Sequence, residues 1–518
     1  MNIDTPLLQL SPVDHFTLRD AFQGVSILGG IGSGKTSGSG RYLAGAYLRA
    51  GMGGLILCAK PEEAELWRQY VHAHGRAESL FEFDGRHGGF NFLAYELARQ
   101  GVDGLNAVVE CLLRVVEAAR NASPSPGRSG DAFWEDTTRQ LLRNTIPVVY
   151  AATGSVSIPD IIAFVRSAPR TPEEMQDRAW QAGSFMCHAF VHAERNLGAD
   201  EASRFASYWR NEFATLDPKT RGNIAISLTT SLDRFNHGWL KTAFCGDTTI
   251  VPEVSLNGGI ILLNMPALTL NEDGVIAQQI FKYMWQRAML ARNALAPPFR
   301  ERPVFLWADE AQYFVNSYDA EFMSTCRGSR VCTVFLSQSL PTYYAKIGGD
   351  NVQHRVHHLL GNFATKVFHS SACPETNEWG ARMIGRRLQN RRSYTESEGT
   401  SSSGGMSRGE NTSRGRSSSY GGSSGGGAGG SHSSSSSSSG STYSSGDNWS
   451  ENRGHGENRG SSRGYSEQMD YDVEPALFSK MPMTGGPANG NLVSAIWYQA
   501  GRRFQSSHGN YLLAIFRQ

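Results

Sequence analysis

Short apolar runs alternate with amphipathic segments over the first hundred residues of the chain. Three runs have the length and character of buried strands, at Val25–Leu28, Gly54–Cys58 and Leu80–Asp84. Helical spacing occupies the segments between them, Lys35–Ala50 and Pro61–His74, and the second segment opens with proline and glutamate, as helices often do. Strands that alternate with helices predict a parallel sheet with right-handed crossovers. The start of the sequence therefore indicates an α/β domain, 1–101.

The spacing of apolar residues changes after this domain. Residues 102–245 show helical spacing with hardly any strand signal, which predicts an all-helical insertion. Strand and helix alternate again over 246–392, and the apolar runs Leu492–Tyr498 and Tyr511–Phe516 predict a closing strand pair within 466–518. The sheet domain is therefore expected to be discontinuous in sequence.

The segment 393–465 differs in composition from the rest of the chain. It contains 26 Ser and 18 Gly among its 73 residues, so it has little apolar surface to bury. Such a composition predicts a disordered Ser/Gly-rich linker. Five Arg-Gly steps and a few aromatic residues leave weak binding of RNA or single strands as the alternative.

Charge and cysteine content narrow the class of protein. The formal net charge of +1 argues against a protein that is basic all over, although it leaves local basic grooves open. Seven cysteines occur singly, without a CxxC pair, which fits a reducing cytosol better than a disulfide framework or a zinc ribbon. The longest apolar runs have strand length, and the N-terminus shows no signal-peptide pattern, so the predicted localisation is cytoplasmic.

A glycine-rich loop directly follows the first predicted strand. Its sequence, GGIGSGKT, matches G-x-x-x-x-G-K-T, and a predicted helix begins at its lysine. In such a loop the backbone N–H groups surround a phosphate, the lysine reaches the β- and γ-phosphates, and the Thr hydroxyl ligates Mg²⁺. A simple glycine turn is the alternative, but the strand before it and the helix after it favour phosphate binding. The predicted nucleotide-binding residues are Gly29, Gly30, Ile31, Gly32, Ser33, Gly34, Lys35, Thr36 and Ser37.

A second apolar strand ends in two acidic residues. Val304–Trp307 leads through Ala308 to Asp309 and Glu310, at the carboxyl end of a strand, where ligands bind in open α/β sheets. We expect Asp309 to bind Mg²⁺ together with Thr36, and Glu310 to polarise the attacking water, which favours ATP hydrolysis over nucleotide binding alone. A surface acidic pair that closes the strand is the alternative.

The next predicted strand, Val331–Leu336, also ends in polar residues. We expect Gln338 to sense the γ-phosphate at this edge and to take part in catalysis. A polar cap on the strand end is the alternative interpretation.

These three motifs, GGIGSGKT, FLWADEAQ and CRGSRVCTVFLSQS, occur in the order found in the TraD/TraG-type conjugative coupling ATPases of the FtsK–HerA superfamily, and the sequence closely resembles that family. Weaker collinear matches lie at 55–62, 90–96, 133–134 and 359–366. The resemblance spans nearly the whole chain outside the Ser/Gly-rich segment. It implies a RecA-like motor domain, an all-helical domain, a homo-hexameric ring, ATP and Mg²⁺ as cofactors, and movement of DNA toward a type IV secretion channel.

The sequence departs from the family pattern at two places. Family members usually begin with two transmembrane helices, whereas here the phosphate loop begins at Gly29, so anchoring through a partner at the inner membrane, or no anchoring, is expected. The family's Asp after the second strand is replaced around Cys58–Lys60. The family also completes its site with an arginine from a neighbouring subunit. Arg327 is our candidate, and Arg330, Arg382 and Arg386 are its rivals.

Taken together, the residues and the resemblance predict an ATP-hydrolysing hexameric DNA translocase. It would bind the DNA backbone with little sequence preference, with a relaxase and secretion-channel components as further partners. Lys219, Arg221, Arg234 and Lys241 are candidates for phosphate contacts, and a solvated helix face is equally consistent with them. Two alternatives stay open: a nucleotide-gated adaptor that recruits secreted proteins, and an ATPase that assembles the secretion channel.

Overall fold

The computed structural model describes residues 2–122, 131–349, 351–401, 411–421, 436–446, 456–483 and 486–518. The chain divides into two compact units. The first comprises residues 1–376 and 478–518, and the second comprises 377–477. The predicted strands of the sheet domain and the predicted helical insertion lie in the first unit, whereas 377–392 and 466–477, which the sequence assigns to the sheet domain, belong to the second. The domain boundaries given by the sequence stay predictions.

The described strands fall into three sheets. In chain order they are β1 Pro6–Gln9, β2 His15–Thr17, β3 Val25–Leu28, β4 Gly53–Leu57, β5 Leu80–Phe83, β6 Ile260–Leu263, β7 Val304–Ala308, β8 Val331–Ser337, β9 Thr365–Phe368, β10 Arg386–Ser401, β11 Asn411–Gly421, β12 Ser436–Gly446, β13 Gly456–Tyr471, β14 Leu492–Gln499 and β15 Tyr511–Arg517. Each strand predicted from apolar runs is present within one or two residues of its predicted bounds.

The described residues also contain nineteen α-helices. They are α1 Leu18–Ala21, α2 Arg41–Arg49, α3 Pro61–Ala73, α4 Phe92–Gln100, α5 Leu105–Ala122, α6 Asp131–Thr153, α7 Ile158–Arg166, α8 Arg178–Gly183, α9 Phe185–Leu197, α10 Ala199–Ser207, α11 Pro218–Asp233, α12 Gly238–Cys245, α13 Ala267–Ala291, α14 Pro297–Glu301, α15 Tyr318–Thr325, α16 Leu340–Ile347, α17 Val352–Gly361, α18 Pro374–Ile384 and α19 Pro475–Lys480.

The central sheet of the first unit has nine strands in the order β15-β14-β9-β3-β8-β7-β4-β6-β5. The seven strands from β9 to β5 are parallel, and β14 and β15 add an antiparallel pair at one side. In the register of the sheet, Leu28 lies opposite both Ser337 and Phe368. The carboxyl ends of β3, β8 and β9 therefore meet at one edge, as a parallel α/β sheet requires. The predicted RecA-like α/β fold is confirmed.

The predicted helix Lys35–Ala50 differs from the structure at its start. Thr36–Gly40 forms a π-helical turn, in which the N–H of Gly40 donates to the carbonyl of Lys35 at 2.9 Å, and α2 begins only afterwards. Gly38 has non-helical angles, φ −95° and ψ −109°. A Cβ at this position would lie 2.7 Å from Val493 Cγ1. The turn thus deviates where β14 packs against it, and this contact is invisible in a local pattern.

Within 102–245, the described residues 102–122 and 131–245 contain the helices α5 to α12 and no strand, in line with the predicted helical character of this segment. No single helix among the described residues is long and apolar enough to cross a membrane. The bent pair Glu135–Thr153 and Ile158–Arg166, taken together, has the length and apolar composition of a membrane span, and these two properties are the only ones that it shares with such a span. Its apolar side chains are packed inside the protein, since Leu141, Ile146 and Ile161 are fully buried.

The second unit contains a four-stranded antiparallel sheet in the order β10-β13-β12-β11. Parts of the segment predicted as a disordered linker, at 393–401, 411–421, 436–446 and 456–465, lie in these strands and pair through their backbones. The residues between these stretches lie outside the described part of the chain, so disorder stays a prediction for them.

Candidate nucleotide-binding and hydrolysis site

The glycine-rich loop connects β3 to the π-helical turn at the carboxyl edge of the sheet. Gly32 and Gly34 have positive φ angles of 70° and 83°, which side-chain-bearing residues rarely adopt. A Cβ on Gly29 would lie 2.5 Å from Ser33 Oγ and 2.7 Å from His369 Cβ. The loop is also tied to the segment that follows β9, because the N–H of Gly30 donates to the carbonyl of Ser370 at 2.8 Å. Glycines are thus required here for the shape of the loop itself.

Thr36 and Asp309 meet although 273 residues separate them in the chain. The hydroxyl of Thr36 donates to Asp309 Oδ2 at 2.6 Å, and Asp309 is largely buried at the end of β7. A hydroxyl oxygen beside a carboxylate oxygen is the donor set that Mg²⁺ prefers, with its remaining positions filled by water and phosphate. The residues present therefore fit the predicted Mg²⁺ site.

The Glu310 carboxylate lies buried beside the phosphate-binding lysine. Its Oε1 atom is 3.7 Å from Lys35 Nζ and 3.2 Å from Lys60 Nζ, and its Oε2 atom accepts a hydrogen bond from Gln312 Nε2 at 2.8 Å. Burial raises the pKa of Glu310, but the Gln312 hydrogen bond and the two lysine charges outweigh it. The net pKa lies below its ordinary value, and the group is a carboxylate at neutral pH.

The backbone at Glu310 is unusual for a residue with a side chain. Its φ and ψ are 49° and 47°, in the left-handed region. Such a conformation costs of order 1–3 kcal/mol and persists only where surrounding contacts impose it. Here the N–H of Glu310 donates to Asp309 Oδ1 at 2.9 Å. The turn directs Asp309 toward Thr36 and Glu310 toward Lys35. The two adjacent carboxylates therefore lie at two different places in the site.

Two glutamine side chains hold the Glu310 carboxylate. The predicted residue Gln338 places its Nε2 atom 3.4 Å from Oε1 and 3.5 Å from Oε2. Gln312, which the sequence analysis gave no role, donates to Oε2 and accepts from Ser337 Oγ at 2.7 Å. Its position three residues after Asp309 was the available signal. The structure thus brings Gln338 to the site, and its role as a phosphate sensor stays a prediction.

Two further buried groups support the site and were missed in the sequence. Glu63, on α3, accepts from the N–H of Ala59 at 2.7 Å; burial, and then the negative charge of Asp309, raise its pKa to about 8. His369, after β9, shares a 2.7 Å hydrogen bond with Ser39 Oγ; burial, and then the charge of Lys35, lower its pKa to about 3. His369 is therefore neutral at physiological pH.

The arginine candidates lie elsewhere in the chain. Arg327 and Arg330 come just before β8, at the amino edge of the parallel sheet, whereas the glycine-rich loop follows the carboxyl end of β3. Arg330 donates to the carbonyl of Glu301 at 2.8 Å. In the second unit, Arg382 pairs with Glu378, and Arg386 stacks on Tyr471. Action of Arg327 on a neighbouring subunit stays a prediction.

A cleft of about 1020 Å³ extends from the glycine-rich loop along α2 and α3. Its charged lining residues are Lys35, Arg41, Arg49 and Arg517, and none of the described residues lining it is Asp or Glu. Tyr42 and Tyr70 also line the cleft. The charged residues of the cleft are all positive, and the cleft extends beyond the glycine-rich loop. Both features suit an elongated anion such as a nucleoside triphosphate.

Comparison with known proteins gives a family match over part of the chain and likenesses in fold. Residues 303–468 match the family model described as the TraM recognition site of TraD and TraG. The plasmid coupling protein TrwB in complex with the non-hydrolysable GTP analogue GDPNP is similar in structure, with a TM-score of 0.52 and 15% identity, covering 96% of this chain and 86% of that chain. TrwBdeltaN70 in a trigonal form with sulphate gives a TM-score of 0.50 and 14% identity at the same coverage.

These likenesses establish the fold at low sequence identity. A search of curated protein sequences finds no match to this chain. The predicted resemblance to the TraD/TraG-type coupling ATPases is nevertheless confirmed, by the family match over 303–468 and by the shared fold.

Proposed function

We propose that this chain, which resembles the TraD/TraG-type coupling proteins in fold and in residues 303–468, is an ATP-hydrolysing motor that moves DNA. The observation that carries the proposal is the placement of Glu310. Its carboxylate is buried, ionised and held by Gln312 and Gln338 beside the lysine of the phosphate loop. A chain that only binds nucleotide has no need for a positioned carboxylate there.

Each residue of the site then has a defined part in phosphoryl transfer. The backbone N–H groups of 29–37 and Lys35 bind the phosphates. Thr36 and Asp309 would hold Mg²⁺, which would neutralise charge on the phosphate oxygens. Glu310 orients and polarises the attacking water, and Gln338 detects the γ-phosphate from the end of β8. Glu63 and His369 keep the loop and α3 in place. ATP is the nucleotide we propose. The cleft, whose charged lining residues are all basic, and the relative in complex with a GTP analogue support a nucleoside triphosphate as the class of ligand.

DNA and a homo-hexameric ring complete the proposal. The support is the likeness of fold to a plasmid coupling protein. The match to a TraM recognition site favours partners among the proteins that prepare plasmid DNA for transfer, such as a relaxase, and among type IV secretion channel components. We place the protein in the cytoplasm, with recruitment to the inner membrane through a partner.

The candidate DNA contacts differ in their availability. Arg234 is paired with Glu272 and Asp273, and Arg221 donates to the carbonyls of Arg170 and Ala214. These two arginines are committed to contacts within the chain, which leaves Lys219 and Lys241, both exposed, as the better candidates for DNA phosphates.

DNA-stimulated ATPase activity separates the motor from both alternatives. We expect ATP hydrolysis to rise on adding duplexes of unrelated sequence, and the binding of those duplexes to weaken steeply with salt because phosphate contacts release counterions. Glu310→Gln serves as the matched control that binds nucleotide without turnover. A rate of ATP hydrolysis that does not change on adding DNA would favour the recruitment adaptor or the channel-assembly ATPase. Binding that is selective for one DNA sequence would contradict the translocase.

A further inference from the structure

Lys60 lies at the catalytic carboxylate although the sequence gave it no part in catalysis. It follows β4 and forms the N-cap of α3, with extended backbone angles of φ −123° and ψ 149°. Because β4 pairs in parallel with β7, residues just beyond their carboxyl ends come together. This register brings Lys60 to Glu310 across 250 residues of sequence.

Lys60 and Lys35 share one oxygen atom of Glu310. Lys60 Nζ lies 3.2 Å and Lys35 Nζ 3.7 Å from Glu310 Oε1, and Gln338 Nε2 lies 3.4 Å from the same atom. Burial lowers the pKa of Lys60, but the charge and hydrogen bond of Glu310, together with the charges of Glu63 and Asp309, outweigh it. The net pKa is raised, so Lys60 carries its charge at neutral pH. Two ammonium groups on one buried oxygen exceed what a single carboxylate needs as counter-charge.

The two lysines differ in their freedom to move. The side chain of Lys35 is 11% exposed, whereas that of Lys60 is 44% exposed, and that of Glu310 is only 3% exposed. An ammonium on a flexible four-carbon stem, open to solvent on one side, can change partners without repacking the core. A phosphate bound by Lys35 lies within reach of Lys60 as well, since both side chains already meet at Glu310 Oε1.

We propose that Lys60 senses the terminal phosphate of a nucleoside triphosphate. When that phosphate is bound, Lys60 exchanges its contact with Glu310 for a contact with the phosphate. A γ-phosphate carries more negative charge than one carboxylate, and it binds both lysines in place of Glu310. Release frees Glu310 Oε1 to accept a hydrogen bond from the attacking water. A diphosphate lacks the group that Lys60 contacts and leaves the Lys60–Glu310 pair intact. This inference rests on the proposed ATP hydrolysis.

The test compares Lys60→Met, Lys60→Arg and the parent protein. Affinities for a non-hydrolysable ATP analogue and for ADP, both with Mg²⁺, are measured by competition with a fluorescent nucleotide, and turnover is measured separately. Loss of one charge-assisted contact is expected to weaken the analogue about tenfold. ADP affinity stays at the parental value. The value of kcat falls because the terminal phosphate loses one of its two lysine contacts, and Lys60→Arg recovers the analogue affinity and kcat. Lys480→Met, which alters an exposed lysine on α19, is the matched control.

The outcomes separate this inference from the proposed function. Equal weakening of both nucleotides would mean that Lys60 only shapes the site, and an unchanged ratio of analogue to ADP affinity with parental kcat would mean that it plays no part. Either result overturns the inference while the ATPase stands. If the parent protein hydrolyses no ATP, the proposed function itself fails.

Discussion

Replacing Glu310 with Gln removes the charge of the proposed catalytic carboxylate and keeps its shape. The parent carboxylate accepts on both sides, from Gln312 on Oε2 and from Lys60 on Oε1, with Lys35 next to the latter. A glutamine amide has only one oxygen, so its NH₂ group must face a donor on one of the two sides. An unsatisfied buried donor costs about 1–3 kcal/mol of the free energy of unfolding.

The catalytic effect of this substitution is expected to be larger than its effect on stability. Loss of a general base reduces turnover about 10²–10⁴-fold. Nucleotide binding is retained, because Lys35 loses a competing ion-pair partner. The assay measures steady-state ATP hydrolysis, affinity for a fluorescent nucleotide and denaturant unfolding. Glu78→Gln, at an exposed carboxylate outside the site, is the control. Hydrolysis at the parental rate would refute the assignment of Glu310 as the base.

The same pair of proteins gives a pH prediction with a defined sign. The pKa of Glu310 is lowered in the folded protein from its ordinary value of 4.5. Its charge therefore stabilises the folded state above that value, and this contribution is lost as the pH falls through the folded pKa. The stability difference between parent and Glu310→Gln should shrink on acidification below about pH 4.5, within the range where both stay folded. A difference that grows on acidification would contradict the lysine contacts.

The remaining predictions concern the ring and the Ser/Gly-rich segment. Lys35→Ala should lose nucleotide affinity and turnover together. Mixing it with inactive Arg327→Ala should restore part of the ATPase activity if Arg327 acts on a neighbouring subunit. No recovery in demonstrated mixed rings would count against that role of Arg327. Replacing 393–465 with a short Gly/Ser bridge should leave folding and basal ATPase intact, measured by thermal unfolding and hydrolysis. Arg391 already lies opposite Ser466 in the β10–β13 ladder, so little closure entropy is at stake, and loss of folded protein would show a structural role for the segment.

Local patterns in the sequence determined much of the fold. The strands β3, β4, β7 and β8 are mostly apolar and fully buried because both faces of a parallel sheet are covered. The motif at 29–36 could be recognised in the sequence because its loop needs glycine at particular positions. Gly32 and Gly34, for example, have positive φ angles that other residues rarely adopt. The acidic pair Asp309 and Glu310 was recognisable because it directly follows a buried strand.

The tertiary structure alone decided which other side chains reach the site. Lys60 and His369 carry no local signal, since each reaches the site through the register and order of strands that are distant in sequence. Glu63 comes under the influence of the Asp309 charge in the same way. Gln312 lies two residues from Glu310, and only its position in the chain signalled it. The π-helical turn at Gly38 likewise depends on contact with β14. A hydrophobic period reports which face of an element is buried, but the partner of a polar side chain depends on where non-local strands end, and only the assembled sheet fixes that position.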